Sequence, residues 1–212
     1  MRFSNLILGA FILASCGRAQ DSMQDAVTAT MEKAIEENVG VSVDLGDAAS
    51  FRENAGSVDF IVGDKIYLQK SNKLVANAIF MLEEGGLAIS FQMANAKGGS
   101  LIAMINHIPR DFSLPLVGKF SVSNSYDGEN PVASLMYMET GEAGMMMTPM
   151  PYEGTLTITK LTEEEMEFEA VAKGGEPIDA ENPANWKPIQ VKGSLKMPII
   201  QSLGIDKDDV LK

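Results

Sequence analysis

Gly154-Thr155-Leu156-Thr157-Ile158-Thr159-Lys160, then Met166-Glu167-Phe168-Glu169-Ala170-Val171-Ala172, then Val191-Lys192-Gly193-Ser194-Leu195, is the stretch that decides the fold class. Apolar and polar residues alternate in each string, the period of a strand with one buried and one wet face. Leu156 and Ile158 face one way and Thr155, Thr157 and Thr159 the other. Met166, Phe168, Ala170 and Ala172 form an apolar row, with Glu165, Glu167 and Glu169 opposite it. Thr162-Glu163-Glu164 connects the first two strands, and a polar excursion over 174–188 precedes the third. The connection between the first two strands is too short for a crossover helix, and nothing in the excursion reads as one, so the pattern predicts an antiparallel meander.

Upstream, the same period returns. Val41, Val43 and Leu45 alternate with polar residues, and Val58, Phe60 and Val62 lead into a turn at Gly63-Asp64 and then Ile66 and Leu68. The apolar stretch 73–82 and the alternation Leu87, Ile89, Phe91 and Met93 flank Gly85-Gly86, a reversal signal. Leu101 to Ile105 reads as an interior strand. Residues 106–117 hold Pro109 and Pro115 and read as a loop. Residues 119–123 and 132–138 read as a pair turned by Asp127-Gly128. About ten short strands without helical crossovers predict a mainly β protein, an antiparallel β-sandwich or calycin-like β-barrel. The domain is expected over 38–200, with 201–212 as a polar C-terminal tail.

The string Gly154 to Lys160, the alternation Met166 to Ala170 and the run Val191 to Leu195 resemble the C-terminal meander of uncharacterised secreted lipoproteins of the Bacteroidota. Gly118-Lys119-Phe120-Ser121-Val122 fits their pattern too. The resemblance covers roughly residues 85–198 and implies a β-sandwich or calycin-like barrel with no known chemistry. The methionine-rich insertion and the helix before the sheet depart from that pattern.

The N-terminus points to location. Arg2 precedes an apolar run that begins at Leu6 and ends in Leu13-Ala14-Ser15-Cys16. A basic start, a short apolar run and small residues read as a secretory signal over 1–15. The four residues Leu13 to Cys16 resemble the lipobox of bacterial lipoproteins. That resemblance implies lipidation of Cys16, and with Gly17 and Arg18 following the cysteine it implies an outer-membrane destination. The membrane partner would then be reached through lipid alone, since the apolar run is too short to span a bilayer. Residues 16–21 form a polar tether. Over 22–37, Met23, Ala26, Val27, Thr30, Met31, Ala34 and Ile35 recur at helical spacing. Ser22 caps this segment and Gly40 ends it, which predicts an amphipathic helix packed on or preceding the domain.

Composition excludes several functions. The chain carries a formal charge of -12, and loss of Arg2 with the signal leaves the mature chain still more negative. Such a field repels nucleic acid. Cys16 is the only cysteine, so once it is lipidated no thiol remains for a disulfide, a nucleophile or a thiolate metal site. Neither a Gly-x-Gly-x-x-Gly string nor a Walker lysine accompanies Gly98-Gly99 or Gly174-Gly175, so no nucleotide cofactor is indicated.

Candidate sites are sparse. His107 is the only histidine, without a Gly-x-Ser-x-Gly elbow, and reads as a surface or hydrogen-bonded side chain rather than a base. Met136, Met138, Met145, Met146, Met147 and Met150 crowd one segment. Thioethers suit Cu(I), but the lack of imidazoles around them makes packing, or an apolar ligand or partner surface, the simpler reading. Asp127-Gly128-Glu129-Asn130 and Asp206-Lys207-Asp208-Asp209 offer hard oxygens without the loop of an EF-hand. Glu163, Glu164 and Glu165 sit at a turn with no aromatic platform, unlike a glycosidase pair. Trp186, the only tryptophan, can stack on a sugar or cap the core, and the cap is the simpler role. No catalytic residue, metal or cofactor is assigned. The expected function is a lipid-anchored, non-enzymatic binding module. A small apolar ligand or an envelope protein is its expected partner, with a structural subunit or a hydrolase as alternatives.

Overall fold

The computed structural model describes residues 52–53, 55–68, 73–95, 99–123, 126–141, 144–147 and 149–212. The signal segment, Cys16, the tether and the helix expected at 22–37 lie outside them. The chain forms two compact units, Met1–Ser50 with Thr140–Met146, and Phe51–Glu139 with Met147–Lys212. The second unit holds nearly all the described residues.

The described strands are β1 (Arg52–Glu53), β2 (Gly56–Val62), β3 (Lys65–Leu68), β4 (Lys73–Glu83), β5 (Gly86–Asn95), β6 (Gly99–Ile108) and β7 (Leu116–Ser121). They continue with β8 (Val132–Gly141), β9 (Gly144–Met147), β10 (Met150–Leu161), β11 (Glu165–Gly175), β12 (Lys187–Lys196) and β13 (Ile199–Leu203). Among the described residues the helical elements are single 3-10 turns, and no helix is long and apolar enough to cross a membrane. The protein is mainly β. One sheet runs in the order β1-β4-β5-β6-β8-β7-β10-β11-β12-β2-β3, with β13 added on β4 and β9 on β8. It curls into a half-barrel.

The curl follows from how the chain uses β4. Strand β5 occupies one edge of β4 along its whole length, from Leu74 to Glu83. The other edge is shared end to end by β1, opposite Lys73 and Leu74, and β13, opposite Asn77 to Met81. Strand β1 leads into β2 and β12 leads into β13, so the chain passes twice between β4 and the β12–β2 pair. The Lys196 N–H donates to the Ala55 carbonyl at 2.8 Å, which ties the two passages together.

Alternation then fills the interior. Phe80 from β4, Phe91 from β5, Phe168 from β11 and Phe60 from β2 are all buried. Phe91 and Phe168 stack with centroids 5.2 Å apart, although β6, β8, β7 and β10 lie between their strands in the sheet order. Phe60 meets Tyr67 and Tyr137 at 5.3 Å each, closing the space between β2, β3 and β8. Gly193 makes room for this packing. It lies opposite Phe168, and a Cβ there would stand 2.3 Å from the phenyl ring.

The C-terminal meander forms as the sequence predicts. β10 pairs β11 and β11 pairs β12, both antiparallel, with Ile158 opposite Phe168 and Phe168 opposite Gly193. A register shift between Pro151 and Glu153 is followed by Gly154 at a φ of 124°, where a side chain would meet the Val171 carbonyl. The outer face carries charge in a cross-strand row, with Glu169 opposite Lys192 and Lys192 opposite Asp59.

Three expectations are corrected. The sheet is mixed rather than purely antiparallel, because β13 pairs β4 in parallel. The pair expected between 119–123 and 132–138 does not form: β7 and β8 run parallel and touch at one bridge, Lys119 with Val132. Asp127 binds the N–H groups of Glu129 and Asn130, which folds 127–130 on itself instead of reversing a hairpin. This leaves β7 to pair with β10 and β8 with β6. Finally, 201–212 is not a tail. Leu203 and Val210 are buried, and the Lys212 N–H donates to the Leu161 carbonyl at 2.9 Å. The charged run between them is one 3-10 turn, Lys207–Asp209, capped by the Asp206 carboxylate. Its charges stay in solvent while the apolar residues on either side reach the core.

Candidate functional site

The excursion between β11 and β12 is a braced surface segment. Pro177 and Pro183 each open a 3-10 turn, where a missing N–H and a fixed φ favour the start of a helical turn. Backbone bonds run from Asp179 to Glu176, Asn182 to Asp179, and Asn185 to Asn182, donor named first. Side chains then lock the loop to itself. The Trp186 indole N–H donates to the Asp179 carbonyl at 2.9 Å, and the Asn185 amide donates to the Asp179 carboxylate at 2.8 Å. Tyr152 on β10 donates its hydroxyl to the Glu176 carbonyl at 3.0 Å and packs against the Trp186 ring, centroids 5.4 Å apart. Burial and the nearby Asp179 and Glu176 charges raise the Tyr152 pKa above its ordinary value, keeping it a donor.

Trp186 is thus a half-buried brace whose only polar atom is committed, with its ring against Tyr152. Ile178, at the tip of the first turn, is 91% exposed. The sequence marked this excursion only as polar. The two prolines and the tryptophan were the signal that it is built; Tyr152 and Asp179, far apart in the chain, were not readable as its fasteners.

The methionines are only partly brought into view. Met136 on β8 is half-buried opposite the buried Ile102, on the other face of the strand from the buried Tyr137. Met138 lies opposite Ser100 and Met150 opposite Gly175. The side chains of Met138, Met145, Met146 and Met147 lie outside the described residues. Among the described residues, no three His, Cys, Asp or Glu side chains converge to hold a metal.

His107 sits at the end of β6 with a φ of 57°, in the register break where β5 and β6 lose step. Its backbone N–H donates to the Glu83 carboxylate at 2.6 Å, and its ring stacks on Tyr126 at 4.2 Å. Nδ1 lies 3.9 Å from Glu83 Oε1 without a hydrogen-bond partner. The arrangement holds a sharp backbone turn.

The acidic groups are engaged locally. Hydrogen bonds from the Asn130 and Glu129 backbone hold the Asp127 carboxyl down to about 2. Glu165 meets Lys160 at 2.6 Å, which lowers the carboxyl and raises the lysine, and Glu163 pairs with Lys207. These side chains serve turns and sheet edges. Open hollows on the surface of the described residues include one lined by Val62, Gly63, Asp64, Lys65 and Lys187 and another around Leu82, Arg110, Gly204 and Asp209.

Comparison with protein-family models, with curated proteins and with solved structures gives no match for this chain.

Proposed function

We propose that the protein is a lipid-anchored component of the bacterial cell envelope, held at the outer membrane through Cys16, that binds another envelope protein with its surface and does no catalysis. The observation that carries the binding half is the filled interior. A small barrel takes a ligand inside only where side chains leave space. Here Phe60, Phe80, Phe91 and Phe168 all belong to one buried apolar cluster, with Phe91 stacked on Phe168 and Phe60 against Tyr137. Recognition therefore belongs to the outside, where the braced excursion offers a fixed shape. The anchor rests on Leu13-Ala14-Ser15-Cys16 behind Arg2 and the apolar run.

Both halves are testable in one strain. Cells producing the full chain or its Cys16→Ala variant are fed a palmitate analogue, and mildly solubilised envelopes are then run on a native gel. The expected result is label on the parent alone, with the parent migrating well above the mass of one chain. Equal labelling of the two forms overturns the anchor, and migration as a lone chain overturns the partner.

A further inference from the structure

The excursion 176–186 presents one apolar side chain in an unusual setting. An isoleucine gains stability when buried, yet Ile178 is 91% exposed. Among the other exposed apolar residues, Val171 at 63% and Ile66 at 54% lie within strands and Met197 at 61% lies in the short link between β12 and β13, so Ile178 is the most exposed of those described. Ile178 stands at the tip of a turn whose backbone is tied at both ends. Tyr152 holds Glu176, and Trp186 and Asn185 hold Asp179. A side chain on such a loop has little freedom left to lose on binding, which is what makes an efficient anchor. Its neighbours set the chemistry of the partner. Glu176 and Glu181 are exposed on either side and Asp179 lies one residue away. An acidic collar is repelled by anionic lipid headgroups, so a bilayer is a poor acceptor for this tip. It matches a protein pocket that is apolar at its floor and basic at its edge.

We propose that Ile178, fixed by the braced excursion, is an apolar anchor that enters a hydrophobic pocket edged by lysine or arginine side chains on a protein partner. The proposal rests on the reading that the protein recognises its partner through its surface, and it names the part of the surface that does so. The three acidic residues supply orientation and approach, and the isoleucine supplies the buried contact. Trp186 acts through the loop as a positioning residue.

The test uses the full chain in the producing cells. A benzophenone amino acid is placed at 178 and, as controls, at Thr159 and Lys192 on the charged outer face. After irradiation, position 178 is expected to give one dominant protein adduct, about tenfold above the controls, as for a central anchor over peripheral surface. Mass spectrometry is expected to place the linked partner residue in an apolar pocket beside lysine or arginine. Charge reversal of the collar, Glu176→Lys with Glu181→Lys, is expected to lower the yield about tenfold. Trp186→Phe, which deletes only the fastening N–H and part of the ring, is expected to lower it several-fold while the unfolding midpoint holds. A lipid adduct, an adduct with a second copy of this chain, or a yield untouched by charge reversal overturns the proposal. Adducts at the control positions without one at 178 overturn the anchor and leave surface recognition standing. Absence of adducts at every position, with the parent running as a lone chain on the native gel, overturns both.

Discussion

At Gly193 the absence of a side chain is what lets the sheet fill its own interior. The ring of Phe168 lies where a Cβ would stand, 2.3 Å away, and that same ring stacks on Phe91 from the opposite part of the sheet. Gly193→Ala therefore forces the stack apart, and the expected loss is about 1–3 kcal/mol, the usual range for an overfilled core. Urea unfolding measures it, and adding Phe168→Leu is expected to return part of the loss. The sequence shows Gly193 as an inward position of a strand, but nothing in it names the ring that fills the space, because that ring comes from a facing residue. Asp127 gives a second prediction. Its carboxyl is lowered from 3.8 to about 2 by the Asn130 and Glu129 backbone. A lowered folded pKa contributes stability that is present above pH 3.8 and is lost as pH falls through about 2. Asp127→Ala is expected to be less stable than the parent at pH 6, with the difference narrowing as pH falls from 3.8 through about 2, as read by thermal melts across that range. A difference that stays constant over the range contradicts this.

Among the elements, β13 and the turn after it are the ones whose role departs furthest from their composition. Read alone, Gln201 to Lys212 is polar and acidic, which is why it reads as a tail. The fold uses its few apolar residues: Leu203 and Val210 are buried, and β13 covers the edge of β4 from Asn77 to Met81. Deleting 199–212 uncovers that edge and is expected to abolish cooperative unfolding, whereas a true tail would leave the melting midpoint unchanged. Val210→Asp isolates the buried contact and is expected to cost about 3–5 kcal/mol, as for an uncompensated buried charge. By contrast the central parts of β10, β11 and β12 and their order were legible, though not their outer ends at 150–153, 174–175 and 187–190. Adjacent strands with short or looped connections pair in sequence order and their alternation fixes the buried face. β7 and β8 are also adjacent in sequence, yet each finds a different partner. Local pattern locates a strand; it does not choose between the edges offered to it, and here the Asp127 turn withdrew the hairpin that would have made the choice local.

For the molecule as a whole, the decisive property is that the half-barrel is packed through its middle. The passages of β1 into β2 and β12 into β13 bring the border of the sheet back to β4. The inward rows then meet instead of lining a hollow. Strand content and an apolar inner face were readable from the sequence, but filled and hollow barrels share the same alternation. Only the sizes that face each other distinguish them, here Phe91 against Phe168 and Phe60 against Tyr137. The proposed recognition by the surface rests on that filling, so the filling is what most needs measurement. The direct experiment is a carbon-13 methyl spectrum of the full chain in detergent, with and without saturating oleate, following the buried methyls of Leu156, Ile158, Val191 and Leu195. These signals are expected to keep their positions when oleate is added. A second set of resonances for the same methyls, growing to saturation at one equivalent of oleate, would mean an interior that opens to a ligand and would contradict recognition by the surface alone.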